Sequence, residues 1–420
     1  VKQIGSGTTI LTGTNTYSGA TSITNGTLQI GDGTKSGSIA DTSNINNGGT
    51  FVINNPENTT ISQVISGTGA VTQQGTGTTT LTGTNTYTGV TTINNGNLQI
   101  GNGTIDGSID TTSAIIDNAN LIVNNIGNTN FSQVISGTGN IVQQGSGTTN
   151  LSNVNSYTGS TTVNNGTLAL TESGDISSSS GVHVYGGTFD ISNLPSSTTQ
   201  ATIQALDGLG AVALGSYTLV ISNANNNFGN NFSGSIAGSG GLEITNGTEI
   251  LTGENNYTGT TTIGDSAVLQ LGAEGTTGTI NSSSNVIDNG SLVVNHSDNI
   301  NLTNSITGSG NLVQNGIGTI TLGDTNTYSG GTFIESGKVV GSATSFGSGS
   351  INNQAALVFN QNSDATFNNG INGTGTLEKT GKGTLTLDGE NELSGSTTIT
   401  QGELAVNGSL RPSVVTAESG

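Results

Sequence analysis

The 420-residue chain contains no cysteine, and only six of its residues are Lys or Arg. Without thiols there are no disulfides and no thiolate metal sites. Arg411 is the single arginine; the lysines are Lys2, Lys35, Lys338, Lys379 and Lys382. Nucleic-acid binding needs clustered basic residues, as does anchoring to anionic lipid, and no cluster exists. Charged side chains are 8% of the chain against a usual ~25%. The formal net charge of −20 is spread along the length and reads mainly as solubility. No apolar run approaches the ~18 residues of a membrane helix.

Catalytic groups are also scarce. His183 and His296 are the only histidines. Both sit in strand-like sequence, next to no nucleophile motif, and no G-x-S-x-G elbow is present. Surface or edge positions are predicted for them. The acids form only small clusters, Glu172/Asp175, Asp106/Asp110 and Glu390/Glu392, which read as solvated turn residues. No calcium nonapeptide, EF-hand loop or phosphate loop occurs. No catalytic residue, metal ligand or cofactor follows from the sequence, and the chain is read as a non-enzyme.

What the chain does have is repetition. Asn15-Thr16-Tyr17-Ser18-Gly19 returns at Asn85–Gly89 and Asn155–Gly159, 70 residues apart each time. It returns again at Asn255–Gly259, Asn326–Gly330 and Asn391–Gly395, the last with Leu393 in the tyrosine place. A fixed period of this kind marks a stacked-repeat fold. Between the copies apolar residues alternate with polar ones: Leu28 and Ile30 flank Gln29, Leu98 and Ile100 flank Gln99, Leu168 and Leu170 flank Ala169. Period two means strands with one buried face. The fifth copy breaks the pair, with Val339 but Gly341. The 68 glycines and many Asn-Gly steps supply the corners.

Eight or nine short strands fit each 70-residue unit, three to a coil of roughly 23 residues. An all-β parallel β-helix of roughly 18 coils follows. Residues 1–170 and 233–406 read as regular repeats, 171–232 as irregular coils or an insertion, and 407–420 as the start of another coil. The chain opens in mid-repeat, Val1–Gly5 being in step with Val71–Gly75, which predicts a fragment of something longer. The recurring residues Asn15, Tyr17, Gly19, Asn85, Tyr87, Gly89, Asn155, Tyr157, Gly159, Asn255, Tyr257, Gly259, Asn326, Tyr328, Gly330, Asn391, Leu393 and Gly395 read as a structural turn. The asparagine amide would bond the turn backbone. Because Leu393 takes the aromatic slot, packing is expected to matter there more than a polar tip. With copies three coils apart, rings about 14 Å distant cannot form a sugar-stacking stripe.

Gly77 to Leu98, Gly147 to Leu168 and Gly318 to Val339, with Ile65–Gly69 and Ile135–Gly139 before two of them, resemble the passenger-associated repeat of Gram-negative autotransporter proteins. The resemblance implies a right-handed parallel β-helix at the cell surface, anchored in the outer membrane or released. It also implies a C-terminal β-barrel translocator as partner in the full-length protein. The expected function is a non-catalytic adhesin segment acting in cell–cell or cell–surface adhesion, including self-association and biofilm. Its partner would be itself on neighbouring cells or a host or matrix ligand. The alternative is a passive stalk for an upstream protease or other effector. A regular ice- or glycan-binding face is a third possibility.

Overall fold

A computed structural model describes residues 1–39, 44–224, 231–323, 325–411 and 414–417. The expected segments 171–232 and 407–420 each include residues outside that set. Among the described residues every regular element is a β-strand, and all the strand pairings are parallel. The fold is a parallel β-solenoid. It divides into two compact units, Val1–Gln204 with Gly210–Ala213, and Ala205–Leu209 with Leu214–Gly420.

In the first unit one face stacks Thr8–Leu11, Thr27–Ile30, Thr50–Ile53, Ala70–Gln73, Thr91–Ile93 and Ile115–Asp117. A second begins with Lys2–Gln3, Thr21–Ile23, Ile45–Asn47 and Ile65–Ser66. The third runs through Thr59–Ile61, Thr78–Leu81, Asn97–Ile100, Asn120–Val123, Asn140–Gln143 and Thr161–Val163. The alternation read from the sequence points inward as expected. Leu28, Phe51 and Val71 stand in one register and are fully buried. Each such burial is worth roughly 1.5–3 kcal/mol.

Two sequence expectations are corrected here. Thr8 lies in register with Thr27, and Thr91 with Ile115, so a coil takes 19 to 24 residues in this unit and is mostly shorter than 23. The chain therefore makes about 20 coils rather than 18. The cause is the economy of the corners: Thr24-Asn25-Gly26 alone joins Ile23 to Thr27, with Gly26 at φ 67°. The second correction follows from the first. The equivalent pieces Lys2–Gln3, Ala70–Gln73 and Asn140–Gln143 fall on three different faces. Seventy residues carry the chain three coils and one face further, so successive Asn-x-Tyr segments are turned to a new face rather than stacked three coils apart.

Residues Val182–Val184 and Thr188–Asp190 continue the first unit by pairing with Thr161–Val163 and Thr167–Leu170. In the second unit Leu206–Gly208 pairs with Asn231–Phe232, and Thr218–Ile221 with Leu242–Leu251. Leu242–Leu251 and Thr261–Gly275 run on through corners that are sharp elsewhere, with a register shift between Ile244 and Asn246. Gly264-Asp265-Ser266-Ala267 replaces the three-residue corner there, and the extra residue is absorbed by that shift. Gly341 also finds its reason in this unit. A Cβ at that inward position would collide with Ser345 Cβ and crowd the ring of Phe346, which packs at 5.1 Å on Phe359 and edge-on at 6.2 Å against Phe367.

The glycines that close the later segments, Gly89, Gly159, Gly259, Gly330 and Gly395, are places of close backbone approach. A Cβ on Gly89 would run into the Gly69 carbonyl one coil away, whereas nothing lies within 4 Å of the same position at Gly19. Gly89→Ala should destabilise the first unit by about 1–3 kcal/mol, as overpacking does. Gly19→Ala should change it by less than about 0.5 kcal/mol, as surface substitutions do. Urea midpoints of the two variants give the comparison.

Candidate functional surface

The recurring asparagine sits in the strand stack. Asn85 Oδ1 accepts from the Ile65 amide one coil earlier at 2.9 Å. Its Nδ2 donates to Gly83 O in its own coil at 3.0 Å and to Ser108 O in the next at 2.9 Å. Asn155, Asn255, Asn326 and Asn391 repeat the three links, to Ile135, Ile236, Ile306 and Ile371 on one side and to Asp175, Thr279, Ser345 and Ser409 on the other. Asn15 makes the own-coil and following-coil bonds, to Gly13 O and Ser38 O. One primary amide thus stitches three coils, a larger task than bonding its own turn. Only Asn or Gln offers donors and an acceptor on one short planar group.

Two residues on, the side chain is buried. Tyr87, Tyr157, Tyr257, Tyr328 and Leu393 are fully inside, and Tyr17 is half-buried. The polar tip is used, contrary to what the Leu393 copy suggests. Each phenol bonds the threonine four residues later, Thr21, Thr91, Thr161, Thr261 or Thr332, at 2.6–2.7 Å. In three copies the chain of hydroxyls continues through Thr112, Ser179 or Ser284 to the carbonyl of the motif glycine, Gly89, Gly159 or Gly259. Burial pushes the phenols of Tyr87, Tyr157, Tyr257 and Tyr328 up, that of Tyr328 to about 12. They remain neutral hydrogen-bonding groups at any physiological pH.

Three further inward slots recur, none of them evident from the sequence. Gln73, Gln143 and Gln314 donate to two corner carbonyls each, such as Gly75 O and Gly77 O. In the last repeat Lys379 holds this slot, its Nζ donating to Thr380 O, Gly381 O and Gln401 O at 2.7, 2.7 and 3.1 Å. Burial lowers its pKa. A second slot holds Asn55, Asn125, His296 and Gln361, each bonding backbone about one coil earlier. A third holds Asn47, Asp117, Asp288 and Asn353, all fully buried. The second glycine of the Gly-x-Gly pair lies directly against each of these four, at Gly69, Gly139, Gly310 and Gly375, and a Cβ there would collide with the amide or carboxyl.

The histidines are corrected by these observations. His183 and His296 are 8% and 1% exposed, not surface or edge residues. Both nitrogens of His296 face acceptors, Gly278 O at 3.0 Å and Asp298 Oδ1 at 3.1 Å. Neither is left to activate a hydroxyl. The acids Glu172, Asp106, Asp110, Glu390 and Glu392 are exposed, and Asp175 is half-buried. Asp106 caps the Ile126 and Gly127 amides, and Asp175 that of Ser177. Among the described residues no three His, Cys, Asp or Glu side chains come together as a metal site.

What remains available to a partner is the outside. One half-buried column on the third face is a ladder of amides and hydroxyls. Asn97 donates to Thr78 at 2.9 Å, Asn120 to Asn97 at 3.0 Å and Asn140 to Asn120 at 3.0 Å; the Ser160 amide and hydroxyl close on Asn140 Oδ1. Asn97 and Asn140 each spend one of their two N–H groups within it.

Removing an interior stitch should cost more than removing a phenol oxygen. Asn155→Ala leaves the buried Ile135 amide unpaired, at about 1–3 kcal/mol, and takes a second donor from the Asn153 and Asp175 carbonyls, which keep the Asp175 and Asn155 amides. Tyr157→Phe loses one bond whose partner, Thr161, keeps Ser179, and should cost about 0.5–1.5 kcal/mol. Denaturant unfolding of both variants checks the order.

Six passages, 2–30, 71–100, 141–170, 246–271, 312–340 and 377–406, match the passenger-associated-transport-repeat. Over 206 residues the chain is 43% identical to the adhesin BmaC autotransporter of Brucella suis biovar 1 (strain 1330). That match covers 44% of this chain and 6% of the relative's length. No solved structure matches the chain. The chain thus carries six passenger-associated-transport repeats along its sequence, and a 206-residue stretch of it is similar to an autotransporter adhesin.

Proposed function

We propose that this segment is a non-catalytic, adhesive part of a passenger displayed at the outer surface of a Gram-negative cell and carried there by a C-terminal β-barrel. Its adhesion is multivalent. The observation that carries the proposal is the ladder from Thr78 through Asn97, Asn120 and Asn140 to Ser160, the same chemistry repeated at coil spacing on a rigid face. A hydrogen bond to such a group contributes only about 0.5–1.5 kcal/mol net. Many of them in fixed spacing act together, because once the first is made the rest are intramolecular. The partner that matches this spacing without adjustment is a second copy of the same face, which makes self-association between cells the favoured mode.

Cells displaying the segment should clump. The triple variant Asn97→Ala, Asn120→Ala, Asn140→Ala should clump several-fold less while keeping the wild-type far-UV circular dichroism. A displayed wild-type segment that neither clumps cells nor binds matrix would instead make it a spacer for another domain.

A further inference from the structure

Of the four side chains in the slot against the second glycine of the Gly-x-Gly pair, two are asparagines and two are aspartates. The asparagines show what the slot requires. Asn47 Nδ2 donates to Ala70 O at 2.8 Å, and Asn353 Nδ2 to Thr376 O at 2.9 Å, in each case 23 residues on. Ala70 is in register with Thr50, and Thr376 with Ala356. At the aspartate copies the same register joins Asn140 to Asn120 and Asn311 to Ser291. The carbonyl that asks for a donor is therefore that of Asn140 or Asn311.

The carboxyls make only an accepting bond, of the kind that Asn353 Oδ1 makes with the Ala355 amide at 3.2 Å. Asp117 Oδ1 accepts from the Ala119 amide at 3.0 Å and Asp288 Oδ1 from the Gly290 amide at 3.1 Å. Oδ2 of each is buried with no hydrogen-bond partner. An ionised carboxylate has nothing to donate and would leave that oxygen confronting a carbonyl. A protonated one has an O–H in the position of the asparagine N–H. We infer that Asp117 and Asp288 are carboxylic acids that donate to the next coil, so that acid tightens the coil stack at two sites, one in each unit.

The surroundings support the protonated form. Neither carboxyl forms an ion pair among the described residues. The titratable group that feels Asp117 is the Tyr157 phenol, and the one that feels Asp288 is the Tyr328 phenol, both neutral. Burial pushes Asp117 up to about 6 and Asp288 up to about 7, against the pull of their backbone hydrogen bonds. A third buried acid acts in the same sense. Glu249 occupies the slot where Thr79 and Thr149 donate a hydroxyl to Gln73 and Gln143, and neither of its oxygens is partnered. Burial first, and then the charge of Asp207, hold it well above the usual carboxylate range.

The sign follows directly. The folded stack binds these protons more tightly than the unfolded chain, whose carboxyls titrate near 3.8. The stabilisation is complete below about pH 4, is lost as pH rises through about 6 at Asp117 and about 7 at Asp288, and changes no further above. In unfolding equilibrium constant the loss is on the order of a hundredfold at the first site and a thousandfold at the second.

The test compares the wild-type segment with Asp117→Asn, Asp288→Asn and the double variant, by urea midpoint from pH 4 to pH 8. Asparagine is the residue the chain itself uses at positions 47 and 353, so the variants should fold. The wild-type midpoint should fall with rising pH, and each substitution should shrink that fall and raise the midpoint at pH 8. Carboxyl ¹³C titration should place two wild-type groups near pH 6 and 7 that vanish one by one in the variants. A wild-type midpoint that does not fall, variants that keep the full dependence, or variants less stable than wild type at pH 8 would each overturn the inference.

Discussion

Every inward side chain of this solenoid meets its counterpart one coil before and one coil after, at the ~4.8 Å spacing of a parallel ladder. Nearly everything else follows from that constraint. Apolar residues stack on apolar ones at Leu28, Phe51 and Val71, and the next place in that column goes to Thr91, whose hydroxyl is taken by Tyr87. A polar residue that points inward cannot reach water, so it has to pair with backbone of its own coil or of a neighbour. Asparagine, with donors and an acceptor on one short group, is the side chain that can serve three coils together. The abundance of Asn here is thus an interior requirement as much as a surface one.

The solenoid was legible because strand alternation and corner chemistry are local. Leu28-Gln29-Ile30 and Asn25-Gly26 announce a strand and a bend wherever they occur. The shift of face was not legible, because it depends on whether the repeat length is a whole multiple of the coil length. A difference of one or two residues per coil, invisible in a list of motifs, moves the next repeat to another face. The inward-pointing polar slots were missed for a different reason. Gln73, Asn47 and Asn55 look like ordinary turn residues in sequence, and only the stacked register shows that they face in. One signal did exist: Asp117 and Asp288 stand in step with Asn47 across the repeat, an exchange of amide for acid at a fixed position.

That exchange illustrates how a repeat interior tolerates titratable groups. Several of its carbonyls take a donor from an inward side chain, as Gly75 O and Gly77 O do from Gln73 and Ala70 O does from Asn47. Lys379 donates with its ammonium, binding three carbonyls where glutamine binds two. His296 faces an acceptor with each nitrogen. Asp117 and Asp288 can donate only when protonated. At Asp117 and Asp288 the neighbouring carbonyls select the protonated carboxyl, whereas burial works against the ammonium of Lys379.

The rotation of the repeat also constrains how the outside can work. A feature that occurs once per 70-residue unit is displayed on a different face in each successive unit, so copies of it cannot line up into one binding stripe. A continuous stripe has to come from different residues of one unit that share a face. The ladder is built that way: Thr78, Asn97, Asn120 and Asn140 are successive strand starts, unrelated by the long repeat and brought together by the coil. Regularity at the long period therefore serves the interior, where every face has the same needs. The adhesive surface we propose is written at the short period, where the sequence is free to differ from one face to the next.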